Sequence, residues 1–495
     1  MIKELYENLV KEDNQRETLS KLRSFIKAED ALAELKALVC EGEILIELLS
    51  HEDAKTRKNA ALLLGDLQLQ NAMYALKEAY EEEKTLFVKS SYLLALSRLD
   101  VSELLGYFKE RKEELLSSEV AEEDKKHVGE EVHVLNSMIV AMEGVDKHTF
   151  CGFEKPHMLL LSTNREQREV TLEEVSELSA TIQRRAELHP LGVQVFTKEV
   201  TPFTKLRSYR ELLFPIFQDE FVSEQPKEAA HQLWESGLLA FLEECHKEAA
   251  PFYFRLEVKA ATPQMEYAKK LATALEQCSG YTLINDTKNY EVEIRLLAAK
   301  EGGYAAFLRL KTIPMKRFAY RKNAIAMSIH PATAAMMMRL AKPYMKENAQ
   351  ILDPCCGVGT MLIERDICVP AREIYGIDIF GEAITGAREN AGLSGVKINF
   401  IHRDFLDFKH DYLFDEIITN MPVKGKKTKE EMDAFYGAFF KKAASLLNDE
   451  GKIIMYTNEA GFVKKQLRLQ SNYRLVQEFC IRKKEQFFLY IIEKR

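Results

Sequence analysis

Four short runs in the last third of the chain carry residue types able to hold a small polar ligand and act on it. The first is Asp353-Pro354-Cys355-Cys356-Gly357-Val358-Gly359-Thr360, which follows an apolar stretch. Its glycines let backbone approach a ligand closely, and the acid before them is an acceptor. About 20 residues on, Ile374 to Ile379 ends in Asp378, a position from which a carboxylate accepts both hydroxyls of a ribose. His402-Arg403-Asp404-Phe405 supplies a third acid, able to bond the exocyclic amine of an adenine, and Asn420-Met421-Pro422-Val423 places an amide in a tight turn. A single G-x-G suits a nucleoside ligand without phosphates. A dinucleotide site is the competing reading, but it wants three glycines in a tighter pattern around a pyrophosphate.

These runs need strands and helices in alternation to bring them together. Ala349-Gln350-Ile351-Leu352 reads as a largely apolar strand that leads through the glycine turn into a helix from Met361 to Cys368. Strands are predicted at Ile374 to Ile379, Lys397 to Ile401, Phe414 to Thr419 and Gly451 to Tyr456, with a helix over 429–447. Each landmark then falls at the carboxyl end of a parallel strand, where ligands of open α/β sheets bind. Four landmarks in this order resemble a Rossmann-like methyltransferase, and the resemblance implies S-adenosylmethionine as cofactor.

At 495 residues the chain is expected to hold about three domains. Residues 1–130 read as helix after helix, and Arg57 to Leu67 aligns with Lys89 to Leu99 at an offset of 32 residues. Leu-rich helices following acidic turns resemble short HEAT-like repeats, with an ordinary helical bundle as the alternative. The charge-dense stretch from Lys109 to Glu130 reads as a solvated helix or linker bridging to the next domain. Residues 131–325 read as α+β: strands at His157 to Ser162 and Gly192 to Phe196, a helix over 172–188, a helix-rich insertion over 226–248, then Phe252 to Val258, a helix from Met265 to Cys278, and strands at Tyr290 to Leu296 and Tyr304 to Leu308. The second half of this region resembles the later part of a THUMP domain, an RNA-binding module. Residues 326–495 complete the Rossmann-like domain.

Residues 250–495 resemble the THUMP-associated methyltransferases that modify the 2-amino group of guanine in tRNA or rRNA. The resemblance rests on the run from Asp353 to Thr360, on Tyr320-Arg321-Lys322 leading through Ser328-Ile329-His330-Pro331 into a helix, and on Asn420-Met421-Pro422 before a Lys-rich turn. It implies that Asp353, Cys355, Gly357 and Gly359 line the methionine and ribose part of the cofactor. Asp378 with Ile379 would take the ribose, and Asp404 with Phe405 the adenine. Asn420, within reach of the cofactor, and Pro422 would face the target amine. An aromatic amine is a poor nucleophile because its lone pair is delocalised. Hydrogen bonds from its two N–H groups to the Asn420 oxygen and a backbone carbonyl localise that pair, and positioning supplies much of the rate. The family's turn usually carries an aromatic in its fourth position to stack on a flipped base, but here that residue is Val423. Phe435, Tyr436 and Phe462 are candidate replacements, with packing in the helix core as the preferred reading of all three.

Composition closes off other classes. Abundant Leu, Ile and Val with 27 Phe and 19 Tyr exclude a disordered chain, and no apolar run approaches a membrane span. A cytoplasmic location is expected. No two of the eight cysteines sit two residues apart, so neither a metal site nor a disulfide framework is expected. The net charge of −8 argues against an RNA partner until it is divided: residues 1–130 carry −9, 131–330 carry −2 and 331–495 carry +3. Gly302 to Lys346 holds no acid and nine basic residues. Lys316, Arg317, Arg321 and Lys322 of this strip, with Lys424, Lys426 and Lys427 after the Asn420 turn, are the expected RNA contacts. The acidic repeats point to a protein partner at least as readily as to RNA. Two other functions fit the same residues: methylation of an adenine amine in RNA or DNA, and a non-catalytic scaffold that keeps the cofactor fold.

Overall fold

Leu, Ala and Ile at three- and four-residue spacing build nine α-helices among the described residues of the first 143: α1 (Ile2–Val10), α2 (Gln15–Phe25), α3 (Glu29–Val39), α4 (Glu43–Glu47), α5 (Ala54–Asp66), α6 (Met73–Glu82), α7 (Leu86–Leu96), α8 (Leu105–Ser117) and α9 (Lys125–Glu143). The computed structural model describes residues 2–11, 14–26, 29–118, 120–121, 124–144, 148–217, 220–425 and 428–495. Helices α5 and α7 start 32 residues apart, and so do α6 and α8. The two aligned helices pack closely: a Cβ on Gly65 would lie 2.6 Å from the Ala95 Cα. Glu83, in the acidic turn between them, is buried and holds the Arg57 guanidinium at 2.8 Å. Helix α9 crosses the expected boundary at residue 130. It begins inside the charge-dense stretch and buries Val134, Leu135, Met138 and Ile139 in the helical core.

The middle region adds β1 (His157–Ser162), α10 (Arg168–Ser176), β2 (Arg184–His189), β3 (Gly192–Thr197), β4 (Glu211–Pro215), α11 (Pro226–Glu235), α12 (Leu238–Cys245), β5 (Phe252–Lys259), α13 (Met265–Cys278), β6 (Leu283–Asn285), β7 (Val292–Ala298) and β8 (Tyr304–Leu310). They form one eight-stranded sheet in the order β2-β3-β1-β4-β8-β7-β5-β6. The helix expected over 172–188 is corrected here: α10 stops at Ser176, and residues 184–189 are a strand. Pro190 and Leu191 make a two-residue hairpin turn, His189 pairs with Gly192, and pairing with β3 overrides the helix propensity of Arg, Ala and Glu.

The C-terminal region consists of α14 (Pro331–Ala341), β9 (Gln350–Asp353), α15 (Thr360–Cys368), β10 (Glu373–Asp378), α16 (Gly381–Ser394), β11 (Asn399–His402), β12 (Phe414–Asn420), α17 (Lys429–Leu446), β13 (Leu447–Thr457), α18 (Ala460–Leu469), β14 (Tyr473–Arg482) and β15 (Phe487–Lys494). Its sheet runs β11-β10-β9-β12-β13-β15-β14. The first five strands in that order are parallel, and β15 is antiparallel to both its neighbours. Strand β9 is buried along its whole length, as a central parallel strand covered on both faces must be.

The middle and C-terminal regions are fastened to each other by buried and half-buried polar contacts. Arg207 donates twice to the buried Glu364 of α15, at 3.0 and 2.8 Å, and the Tyr320 hydroxyl donates to the same carboxylate at 2.6 Å. Side-chain amides of Asn164 and Gln167 donate to the carbonyls of Ile481 and Cys480, where β14 bulges. Val170 of α10 packs into the core formed by α14 and β9. Among the described residues no helix is long and apolar enough to cross a membrane, and no group of three or more His, Cys, Asp or Glu is placed to hold a metal ion.

Candidate functional site

Three strand ends and one loop enclose a cavity of about 210 Å³ at the carboxyl edge of the parallel sheet. Strand β9 and the turn after it contribute Asp353, Cys355 and Gly357. Strand β10 contributes Asp378 and the following Phe380, and β12 contributes Asn420 with Met421, Pro422 and Val423. The loop before α14 roofs it with Ile325 and residues 327–329. The crossover from β9 into α15 is possible because Gly357 and Gly359 take φ of +52° and +81°, a region other residues rarely adopt.

Asp353 is fully enclosed. One carboxylate oxygen accepts the Cys355 N–H at 3.0 Å, and the other is buried with no hydrogen-bond partner in the protein. Burial, with Asp378 nearby, holds its pKa well above the ordinary carboxylate range. Such a group calls for a cationic donor from outside the chain. Asp378 is fixed differently: Gly357 N–H donates to one oxygen at 2.8 Å and Phe380 N–H to the other at 2.9 Å, leaving lone pairs on both for a diol. The Thr360 hydroxyl is a second buried polar atom here without a partner. This donor set fits S-adenosylmethionine, which offers an ammonium and a ribose diol. Cys356 is buried with its thiol pushed well up by burial, so it packs as a small apolar group.

The structure separates other expected residues from the cavity. Asp404 is exposed beyond β11, where it accepts the Leu406 N–H at 2.8 Å to start a short turn. Phe405 is turned into the core, its ring centroid 5.5 Å from that of Phe439. Ile379 is 56% exposed and lies outside the cavity wall. Phe380, 63% exposed and in the wall, is a residue that sequence reasoning misses. An aromatic just after a strand-end acid is the signal that could find it. The candidate stacking rings pack in the core, the preferred reading of them from sequence. Tyr436 is fully buried, bonded to Thr457 at 2.8 Å and stacked on Phe462, while Phe435 packs edge-on against it. None of the three reaches the cavity.

The basic strip divides in the same way. Arg317 is an internal brace and not a surface cation: its guanidinium donates to the carbonyls of Leu206 and Tyr209 at 2.8 Å and of Arg210 at 2.6 Å, and lies 3.7 Å from the Tyr209 ring centre. Arg321 is half-buried and donates to the Ile329 carbonyl at 3.2 Å, so it shapes the roof loop. Lys316, Lys322 and Lys424 are exposed. Lys426 and Lys427 lie outside the described residues.

Comparison with known proteins gives this geometry a class. Residues 319–486 match the family model described as RMKL-like, methyltransferase domain. Over 131 residues the chain is 31% identical to a tRNA (guanine(10)-N2)-dimethyltransferase of Methanothermobacter thermautotrophicus, covering 26% of this chain and 38% of that protein. Over 100 residues it is 30% identical to the ribosomal protein L11 methyltransferase of Aquifex aeolicus, covering 20% and 39%. The chain thus spans about two fifths of the length of these curated relatives. Among solved structures, TrmN from Thermus thermophilus aligns with a TM-score of 0.52 at 22% identity, over 68% of this chain and 100% of that one. That likeness is one of fold, and its extent exceeds residues 319–486 alone. Residues 319–486 thus carry the match to a methyltransferase domain, and the cofactor of this domain is S-adenosylmethionine.

Proposed function

We propose that this chain methylates the exocyclic 2-amino group of a guanosine in tRNA or rRNA. The observation that carries the reading is the sharing of one cavity by three groups: Asp353 with its unpartnered oxygen, Asp378 with both oxygens pinned by backbone, and Asn420 at the end of β12. In this reading Asp353 receives the ammonium of the methionine end, Asp378 the ribose, and Phe380 lies along the adenine. The cofactor supplies a sulfonium methyl group to a nucleophile.

The chain does the rest by positioning. The Asn420 oxygen and a carbonyl of the Met421–Pro422 turn accept the two N–H groups of the target amine, which restores its lone pair to nitrogen and aims it into the cavity. Met421 is held by its own N–H, which donates to the Tyr456 carbonyl at 3.0 Å, so the turn cannot swing away. No strong base is needed before transfer, because the amine becomes acidic only as it is alkylated. Lys316, Lys322 and Lys424 are the surface cations assigned to RNA phosphates. The middle region is read as a THUMP-like RNA-binding module, and the helical region as HEAT-like repeats that hold RNA or a protein partner. The likeness to a tRNA (guanine(10)-N2)-dimethyltransferase supports RNA as substrate for the matched segment.

The test is to incubate the full chain with labelled cofactor and undermodified total RNA and identify the product nucleoside by mass spectrometry. Methylated guanosine is the expected result. Label in adenosine would transfer the assignment to an adenine amine, and tight cofactor binding with no label in any nucleic acid would favour a scaffold.

A further inference from the structure

We propose that Met327 is the base-clamping residue of this site, closing on the target purine from one side while Val423 supports it from the other. The inference rests on the amine-methyltransferase reading of the cavity and adds to it the wall that holds the base.

A purine whose amine meets Asn420 needs an apolar surface against its ring face, or water competes for the site. Val423 is too small to provide that surface alone. The aromatic rings nearest in sequence are committed to the core, and Phe380 stands on the β10 side, beside the acid assigned to the ribose. What remains at the mouth of the cavity is the turn from Ile325 to Ser328. Both of its large apolar side chains line the cavity and are open to solvent: Ile325 is 40% exposed and Met327 is 54% exposed. Of the two, Met327 is adjacent to the reacting amide, since Asn420 Nδ2 donates to the Met327 carbonyl at 3.4 Å. That hydrogen bond turns the amide NH2 group toward the roof through one of its two N–H donors and leaves the Asn420 oxygen for the incoming amine.

The backbone that carries Met327 is fixed on several sides. Ser328 N–H donates to the Ile325 carbonyl and Ile325 N–H to the Ser328 hydroxyl, each at 2.9 Å. Upstream, the buried Asn390 of α16 accepts from the N–H groups of Lys322 and Asn323 at 3.1 and 3.0 Å. It donates to the carbonyls of Asn323 and Val358 at 3.1 Å. The turn is thereby registered to the glycine loop, while the thioether at its tip stays unpacked. A flexible, polarisable side chain on a rigid turn can settle on a flat ring after it arrives.

The experiment compares the full-length parent with Met327→Ala, Met327→Phe and Met327→Ala/Val423→Tyr, measuring cofactor Kd by calorimetry and KM and kcat on undermodified RNA. Met327→Ala is expected to leave cofactor Kd unchanged and raise KM for RNA about 3- to 10-fold. Either aromatic variant is expected to return KM to the parent value or below. The proposal is overturned if Met327→Ala keeps the parent KM, or if cofactor Kd shifts as much as KM, which would put the side chain against the cofactor. A parent that binds cofactor but methylates no RNA would overturn the underlying reading before any variant is compared.

Discussion

Removing Arg207 tests how the middle and C-terminal regions are held together. Glu364 is buried and has three hydrogen bonds to its carboxylate, two from Arg207 and one from Tyr320. Even so, burial holds its pKa above the ordinary value. Arg207→Ala leaves a buried carboxylate with a single phenol donor, a change that costs about 3–5 kcal/mol when one partner of a buried pair is deleted. The size of the loss depends on pH. A carboxyl whose pKa is raised by folding stabilises the fold fully below its unfolded value, and that contribution is lost as pH rises through the folded value. Without Arg207 the folded value climbs further, so the gap between variant and parent should widen from mildly acidic to neutral pH. Adding Glu364→Gln removes the charge and keeps a group that can pair with Tyr320; the double variant should recover more than half of the loss and flatten its pH dependence. Denaturant unfolding of the parent, Arg207→Ala, Glu364→Gln and the double variant at pH 5 and pH 8 measures this cycle. A loss below about 1 kcal/mol for Arg207→Ala, or no recovery in the double variant, would refute a buried, coupled pair.

Other predictions concern the cavity and the RNA surface. A ligand ammonium should pull the raised pKa of Asp353 down, so cofactor binding should release a proton and tighten as pH rises toward that raised value. Asp353→Asn should weaken binding roughly 10- to 100-fold and abolish the proton release, as calorimetry in buffers of different ionisation enthalpy will show. Asn420→Ala should bind cofactor normally and lose roughly 100-fold in kcat; equal turnover would remove the amide from the mechanism. Replacing Lys316, Lys322 and Lys424 with Ala should reduce the slope of log affinity against log salt by roughly 0.7–0.9 for each phosphate left without its lysine. Arg317→Ala should leave that slope alone and lower the unfolding midpoint, because its donors are spent on carbonyls.

The C-terminal sheet is legible in sequence because each candidate site residue follows an apolar run at a strand end, where local pattern and long-range packing agree. Asp353, Gly357, Asp378, Asn420 and Pro422 therefore fall on one cavity wall although they span nearly 70 residues. Charge alone is less informative. Arg317 and Lys316 are neighbours in sequence, yet one is braced against three carbonyls and the other is in water, a difference set by what the middle sheet presents to them. Phe405 and Phe380 trade places for a similar reason: α17 offers Phe405 an aromatic partner, whereas Phe380 stays exposed at the cavity wall. Strand β2 is illegible because an edge strand needs only a partner, and its residues suit a helix equally well.

The stepping of the helical layer by 32 residues bears on how this chain can lengthen. In the HEAT-like reading proposed above, helices that repeat at a constant offset meet chiefly their neighbours, so a whole step could be added or removed at the free end of the stack. One end of the stack is not free in this way. Gly129 of α9 packs so tightly against the Tyr281 hydroxyl that no Cβ fits between them, and Tyr253 reaches Asn136 of the same helix. Insertions of 32 residues before α8 would extend the stack outward while its last helix stays moored to the sheet. The reach of the layer can thus be tuned independently of the site it serves.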